Sequence, residues 1–254
     1  MAQAHLPSEG PKIIAHRGLC RRAPENTLAA FELAYRTGVQ WLETDVDLLK
    51  DGTPILLHDA TLDRTTNPSG PVSARTSQDL PAIDAGSWFS PAFAGEPLPT
   101  LASLIDFLNR TGMNCNVELK SGKESDAAPE AMIAATLPQL ARLNPGIEII
   151  VSSFNPDLLA QFHEAAPEYT IAALFKPRHL AKDWIGVAHG CGATYIHPKD
   201  HLRLPSLLPI ARREGFRVGV WTVNKKARAR ELLGLGVESI ITNKADKFLP
   251  LAVE

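Results

Sequence analysis

No stretch of this 254-residue sequence stays apolar long enough to cross a bilayer as a helix, which takes about 20 residues. Nor does one sign of charge dominate: 26 Lys and Arg stand against 28 Asp and Glu, a net charge of −2. That balance excludes the basic footprint with which nucleic-acid-binding proteins neutralise phosphates, and a polybasic membrane tract as well. The first twelve residues, MAQAHLPSEGPK, contain no apolar core of the kind a secretory leader carries. Cysteine is scarce. Cys20, Cys115 and Cys191 are odd in number, far apart and without C-x-x-C spacing, so they read as free thiols in a reducing compartment. These absences point to a cytoplasmic protein that binds neither nucleic acid nor, stably, a membrane; whether it is a monomer or homodimer, they leave open.

What is present is rhythm. Short apolar runs rich in β-branched residues recur at Lys12–His16, Gln40–Asp47, Asn114–Lys120, Glu148–Phe154, Thr170–Phe175, Ala193–His197, Arg217–Val223 and Ser239–Thr242. Helical patterns lie between them at about 25–37, 101–110, 127–143, 156–165, 179–189, 205–214, 225–234 and 245–252. Near-continuous apolar runs suit strands covered on both faces, as parallel sheets require. Eight βα units in one domain of this length predict an α/β TIM (β/α)8 barrel, with a doubly wound open sheet as the other arrangement that alternation allows. Residues 60–100 break the rhythm. They are rich in Pro, Gly and Ser, include Trp88 and Phe89, and predict a small insertion after the second barrel strand, placed over one side of the barrel mouth.

The chemistry-bearing residues cluster at strand ends. In WLETDVDLLKDGTPILLHD, Glu43, Asp45 and Asp47 alternate and share one strand face, where burial is costly without a compensating cation. Asp51-Gly52 reads as a type I′ hairpin turn in which Lys50 faces Thr53 and Asp45 comes opposite His58. NCNVELK repeats the alternation with Asn116, Glu118 and Lys120. Glu43, Asp45 and Glu118 together offer a hard divalent cation, Mg²⁺ or Ca²⁺, three carboxylates. The first strand ends in His16 and Arg17, whose fork suits phosphate oxygens. A helix beginning soon after Pro24 would turn its N-terminal amides toward the same anion. Two histidines, an arginine, a lysine and an acidic metal site describe phosphodiester hydrolysis.

The ordered set H-R-G, P-E-N-T, E-x-D, K-D-G, H-D, R-T-T and E-x-K, followed by LPTL, SSF, VWTVN and GVESIIT, resembles the glycerophosphodiester phosphodiesterase family over nearly the whole chain. The resemblance implies hydrolysis of glycerophosphodiesters such as glycerophosphocholine to an alcohol and glycerol 3-phosphate. By matching motif it implies Glu43, Asp45 and Glu118 as metal ligands, and His16 and His58 as the general acid/base pair. Arg17 and Lys120 would steady the phosphate, and Trp221 would line the glycerol or headgroup side. Where the family often has Asp, this chain has Glu238 and Asn243, a difference read here as one of packing. Asn26 and His197 are further candidates for substrate contact, Asn26 with a helix cap as its other reading. Asp59 is placed to orient His58 or to cap the following turn. Trp88 and Phe89 read as lid core, and His5, His163, His179, His189 and His201 as surface or loop residues. Lysophospholipids are the alternative substrate class, and a non-catalytic glycerol-phosphate-binding barrel the alternative function.

Overall fold

The computed structural model describes residues 13–122, 125–180 and 182–252. His5 and the expected first strand residue, Lys12, lie outside the described residues. Eight parallel strands close on themselves: β1 (Ile13–His16), β2 (Trp41–Leu48), β4 (Asn114–Leu119), β5 (Ile149–Ser153), β6 (Thr170–Phe175), β7 (Tyr195–Pro198), β8 (Arg217–Val220) and β9 (Ser239–Thr242). The β1–β2 and β1–β9 pairings complete the ring, so the chain is a TIM barrel and not an open sheet. A short β3 (Pro54–Leu56) runs antiparallel to the end of β2. Between the strands run α1 (Leu28–Arg36), α2 (Leu101–Thr111), α3 (Pro129–Leu140), α4 (Pro156–Ala165), α5 (Trp184–Gly190), α6 (Leu204–Arg213), α7 (Lys226–Gly234) and α8 (Ala245–Phe248). No helix of the described residues is long and apolar enough to cross a membrane.

Strand alternation divides the core in two. Outward-facing residues such as Ala15, Leu42, Val117 and Val151 pack with the helices in the main cluster. Inward-facing Ile14, Trp41, Ile150, Ala172, Tyr195 and Ile241 form a second cluster that fills the barrel floor. Above this apolar layer the inward positions turn polar, with His16 beside Glu43, Glu43 beside Asn116, and Asp45 beside Glu118.

Two local expectations need correction. The β2–β3 register pairs Leu48 with Pro54 and Val46 with Leu56, one residue away from a two-residue turn at Asp51-Gly52. A type I′ turn needs positive φ at both central residues, and only Gly52 (φ 81) has it. Asp51 instead accepts from the Thr53 N–H in an Asx turn, and the loop closes from Leu49 N–H to Thr53 O at 3.0 Å. Asp45 is therefore aligned with Leu57, whose N–H donates to its carbonyl, and His58 arrives from the loop beyond the ladder. Helix α1 starts at Leu28 with Thr27 as its N-cap. Its first amides are already satisfied: Ala30 N–H by Thr27 Oγ1, and Ala29 N–H by the Glu96 carboxylate. They are not presented to a phosphate.

The 60–100 segment carries three short 3₁₀ turns and a small core of its own, in which Leu62, Val72, Ile83, Ala85 and Leu98 pack on Leu49, Ile55 and Leu57. Asp84 ties its far end together by accepting from the Gly86, Ser87 and Gly95 amides. Trp88 packs edge-on against Phe89, which does the same against Phe93.

Gly18, just after the site strand β1, tests how tightly α1 is docked. Its φ is +74, and a Cβ there would lie 2.8 Å from Ala30 Cβ and 2.9 Å from the Phe31 ring. Gly18→Ala is expected to destabilise the fold by about 1–3 kcal/mol through strain and overpacking. Denaturant unfolding checks this.

Candidate active site

The candidate acidic and cationic groups meet at the C-terminal ends of β1, β2 and β4, the barrel face where loops follow strands. Glu43, Asp45 and Glu118 offer oxygens that all lie within 4.8 Å of one another. Each of the three is under a tenth exposed. Parallel register makes this so: Glu43 and Asp45 are two apart on β2, and Glu118 is the in-register neighbour of Asp45 on β4. Asp47 does not join them. It accepts from Ser125 Oγ and from the Leu48 amide.

Cations and amides brace the cluster. Lys120 Nζ lies 2.9 Å from Asp45 Oδ1 and 2.6 Å from Glu118 Oε1, and Arg17 Nε lies 3.2 Å from Asp45 Oδ2. The Arg17 backbone N–H donates to Glu43 Oε2 at 3.0 Å. Asn26 donates to Asp45 Oδ2 at 2.9 Å and accepts from Thr44 Oγ1 at 2.8 Å, so it neither caps α1 nor faces outward. It holds Asp45 in place. Arg17 and Asn26 both have left-handed backbone (φ 54 and 56), a strain the surrounding bonds must offset. Such strain in non-glycine residues concentrates at functional sites.

These contacts decide the charge states. Burial works to raise Asp45, yet Lys120, Arg17, His58 and the Asn26 hydrogen bond hold its carboxyl far below the usual range. Burial pushes Glu43 the other way, well above that range, and the Asp45 and Glu118 charges reinforce the shift. Lys120 stays firmly charged despite burial because Asp45 and Glu118 flank it.

The two histidines are held alike. His16 Nδ1 lies 2.6 Å from Asn243 Oδ1, an oxygen that only accepts, so Nδ1 carries the proton and Nε2 turns toward Glu43 at 4.0 Å. His58 Nδ1 donates to Asp59 Oδ1 at 2.6 Å. Asp59 belongs to a ladder of ion pairs, His58–Asp59–Arg64–Glu25–Arg17, that ties the inserted segment to the end of β1. Burial first, then the Arg17 charge, lowers the His16 imidazole to about 4.

Asn243 therefore touches a candidate catalytic ring, and the packing reading of that position is corrected. Its alternation two residues beyond Ile241 on an inward strand was the available signal. Glu25 and Arg64 stand in the P-E-N-T and R-T-T motifs, but their pairing had no signal, because loop-to-loop ion pairs leave no periodic trace. Trp221 stands at the mouth, its Nε1 donating to His197 O at 2.6 Å. His197 itself lies beneath it, 0% exposed, its imidazole packed against Gly219 and Tyr195.

Residues 16–247 match the model of the Glycerophosphoryl diester phosphodiesterase family. A glycerophosphodiester phosphodiesterase of Caldanaerobacter subterraneus is 33% identical over 239 residues, covering 94% of this chain and 96% of that protein. The structure of an Oleispira antarctica phosphodiesterase in complex with the product sn-glycerol-3-phosphate superposes with a TM-score of 0.88 at 28% identity, over 96% of this chain and 98% of that one. A glycerophosphodiester phosphodiesterase from Agrobacterium tumefaciens gives a TM-score of 0.75 at 28% identity, covering 94% and 99%. The matched span opens on His16 and runs past Asn243, so it takes in the whole of the site built above. This chain belongs to the glycerophosphoryl diester phosphodiesterase family and is an enzyme of that class.

Proposed function

We propose that this enzyme hydrolyses glycerophosphodiesters to an alcohol and sn-glycerol 3-phosphate, with a divalent cation and with His16 and His58 as its acid–base pair. The observation that carries the reading is a close-set cluster of three carboxyl groups at the mouth, their oxygens within 4.8 Å of one another. Three buried carboxyl groups, Glu43, Asp45 and Glu118, face the buried Lys120 and the half-buried Arg17. A divalent ion would let all three carboxyl groups ionise, and its two positive charges would make the cluster attractive to a phosphodiester anion. The all-oxygen donor set fits such an ion, and favours Mg²⁺ or Ca²⁺ over zinc. Each carboxylate has about four lone-pair directions, so bonds to Lys120 and Arg17 leave room for coordination. When bound, the ion supplies positive charge against the phosphoryl oxygens.

The protein's own groups do the rest. Arg17 and Lys120 add fixed positive charge where negative charge grows in the transition state. His16 Nε2 is unprotonated, on a half-buried ring with a neutral amide behind Nδ1. It is suited to take the proton from the attacking oxygen, whether water or the glycerol 2-hydroxyl. His58, its ring fixed by the Asp59 carboxylate at Nδ1, turns Nε2 to the departing alcohol as the proton donor. Asn26 acts through Asp45, and His197 through its support of Trp221.

Two tests follow. Released sn-glycerol 3-phosphate, measured by an enzyme-coupled assay, should vanish on treatment with EDTA and return on adding Mg²⁺ or Ca²⁺. Full activity in a thoroughly chelated sample would rule out the metal role. Asn243→Ala is expected to lower kcat about 10- to 100-fold with KM nearly unchanged, because the His16 ring loses the bond that fixes its tautomer. Asn243→Asp, which keeps an acceptor oxygen, should restore part of that loss.

A further inference from the structure

The groups described so far take up only half of the barrel mouth. On β9, β1, β2 and β4 the inward residues at the mouth are Asn243, His16, Asp45 and Lys120. On β5, β6, β7 and β8 the corresponding residues, two positions beyond Ser152, Leu174, His197 and Gly219, are Phe154, Lys176, Lys199 and Trp221. These four form one wall. The Phe154 and Trp221 rings meet edge to face with centroids 5.5 Å apart. Lys176 Nζ stands 4.5 Å from the Phe154 centroid, and Lys199 Nζ 5.9 Å from that of Trp221. A backbone bridge between Lys199 and Trp221 fixes the second pair. Lys199 is exposed and the other three are half-buried, so the wall borders the open mouth.

We infer that this wall receives the alcohol end of the diester and selects it by charge, accepting polyol headgroups and disfavouring the quaternary ammonium of choline. The inference rests on the glycerophosphodiesterase reading of the site. A quaternary ammonium is bound by the faces of aromatic rings at about 6 Å or less from their centroids. Here both rings already carry an ammonium of the chain itself within that range. A choline group placed among them meets two like charges, and repulsion at roughly 5 Å persists even in the higher effective dielectric near a protein surface. It also has no N–H or O–H to exchange for the water it displaces. A glycerol or inositol headgroup presents hydroxyl oxygens that accept from both lysines, while its C–H face lies on the rings.

The test uses the full-length enzyme with its divalent cation, and compares glycerophosphoglycerol, glycerophosphoinositol and glycerophosphocholine by released sn-glycerol 3-phosphate. The expected kcat/KM for each polyol diester exceeds that for the choline diester by about tenfold or more, the scale of one close charge–charge term. Lys199→Glu and Lys176→Glu should each move that ratio toward choline by about tenfold, with Lys→Gln at either position giving a smaller move in the same direction. A wild-type ratio near one, or in favour of choline, overturns the inference. So does a ratio that neither charge reversal moves, which would mean that the invariant glycerol end faces the wall. Failure to turn over any of the three diesters would overturn the phosphodiesterase reading itself, and this inference with it. Should a glutamate variant fold poorly in a thermal melt, the glutamine variants and the wild-type comparison still decide.

Discussion

Alanine in place of His16 or of His58 is expected to lower kcat by about 10²–10⁴-fold while leaving bound metal nearly unchanged. The reason is geometric. Both rings carry the Nδ1 proton against a fixed oxygen, Asn243 Oδ1 or Asp59 Oδ1, and so keep Nε2 for the substrate. Neither belongs to the carboxylate cluster that would hold the ion. The double variant should lose less than the product of the single losses, because acid and base act as one unit. Steady-state kinetics at saturating metal, with metal content measured in parallel, separates this from a ligand effect. Near wild-type turnover in either single variant would remove that histidine from the proposed pair.

The same ring links catalysis to acid stability. Burial, reinforced by Arg17, lowers His16 to about 4, so its base form persists well below the ordinary imidazole value of about 6.5. Between those values the unfolded chain binds a proton that the folded ring refuses. The stability associated with the neutral ring is therefore complete above about 6.5 and is lost as pH falls toward 4. His197, lowered by burial to about 3, extends the same loss further into acid. Thermal midpoints measured across this range should fall steadily with pH.

Asp45→Asn is expected to cost at least about 10³-fold in activity and to destabilise the protein, whereas Glu118→Gln should cost similar activity with a smaller loss of stability. Asp45 is the acceptor for Lys120, Arg17 and Asn26. Neutralising it leaves Lys120 with Glu118 alone and Arg17 with Glu25 alone, and breaking a buried pair from one side costs up to about 3–5 kcal/mol. The amide introduced by Glu118→Gln would retain an acceptor oxygen for Lys120 and lose mainly a charged ligand. Calorimetric titration with Mg²⁺ should show weakened binding in both variants, and unfolding curves should separate them. In the unaltered protein, affinity for the ion should rise with pH, because burial and the Asp45 and Glu118 charges make Glu43 hold its proton too tightly until the ion displaces it. Wild-type affinity in Glu118→Gln would exclude Glu118 as a ligand.

The sequence by itself determined the βα repeat and which carboxyl groups share a strand face. Both follow from period: eight apolar runs separated by helical patterns specify the βα repeat, and alternation puts Glu43 with Asp45 and Glu118 with Lys120. Strand order and register then bring β2 and β4 together, as the parallel repeat requires. Tertiary structure alone decided everything that depends on loops meeting loops. It moved the hairpin register by one residue, because the Asp51 side chain bonds to Thr53 while its backbone keeps ordinary φ. It gave the first amides of α1 to Thr27 and Glu96. It set Asn243 against His16 across 227 residues of sequence, and Arg64 against Glu25 across 39. Periodicity records which face a residue takes within its own element. It holds no record of which distant side chain will stand opposite, since that is fixed only when the ring of strands closes.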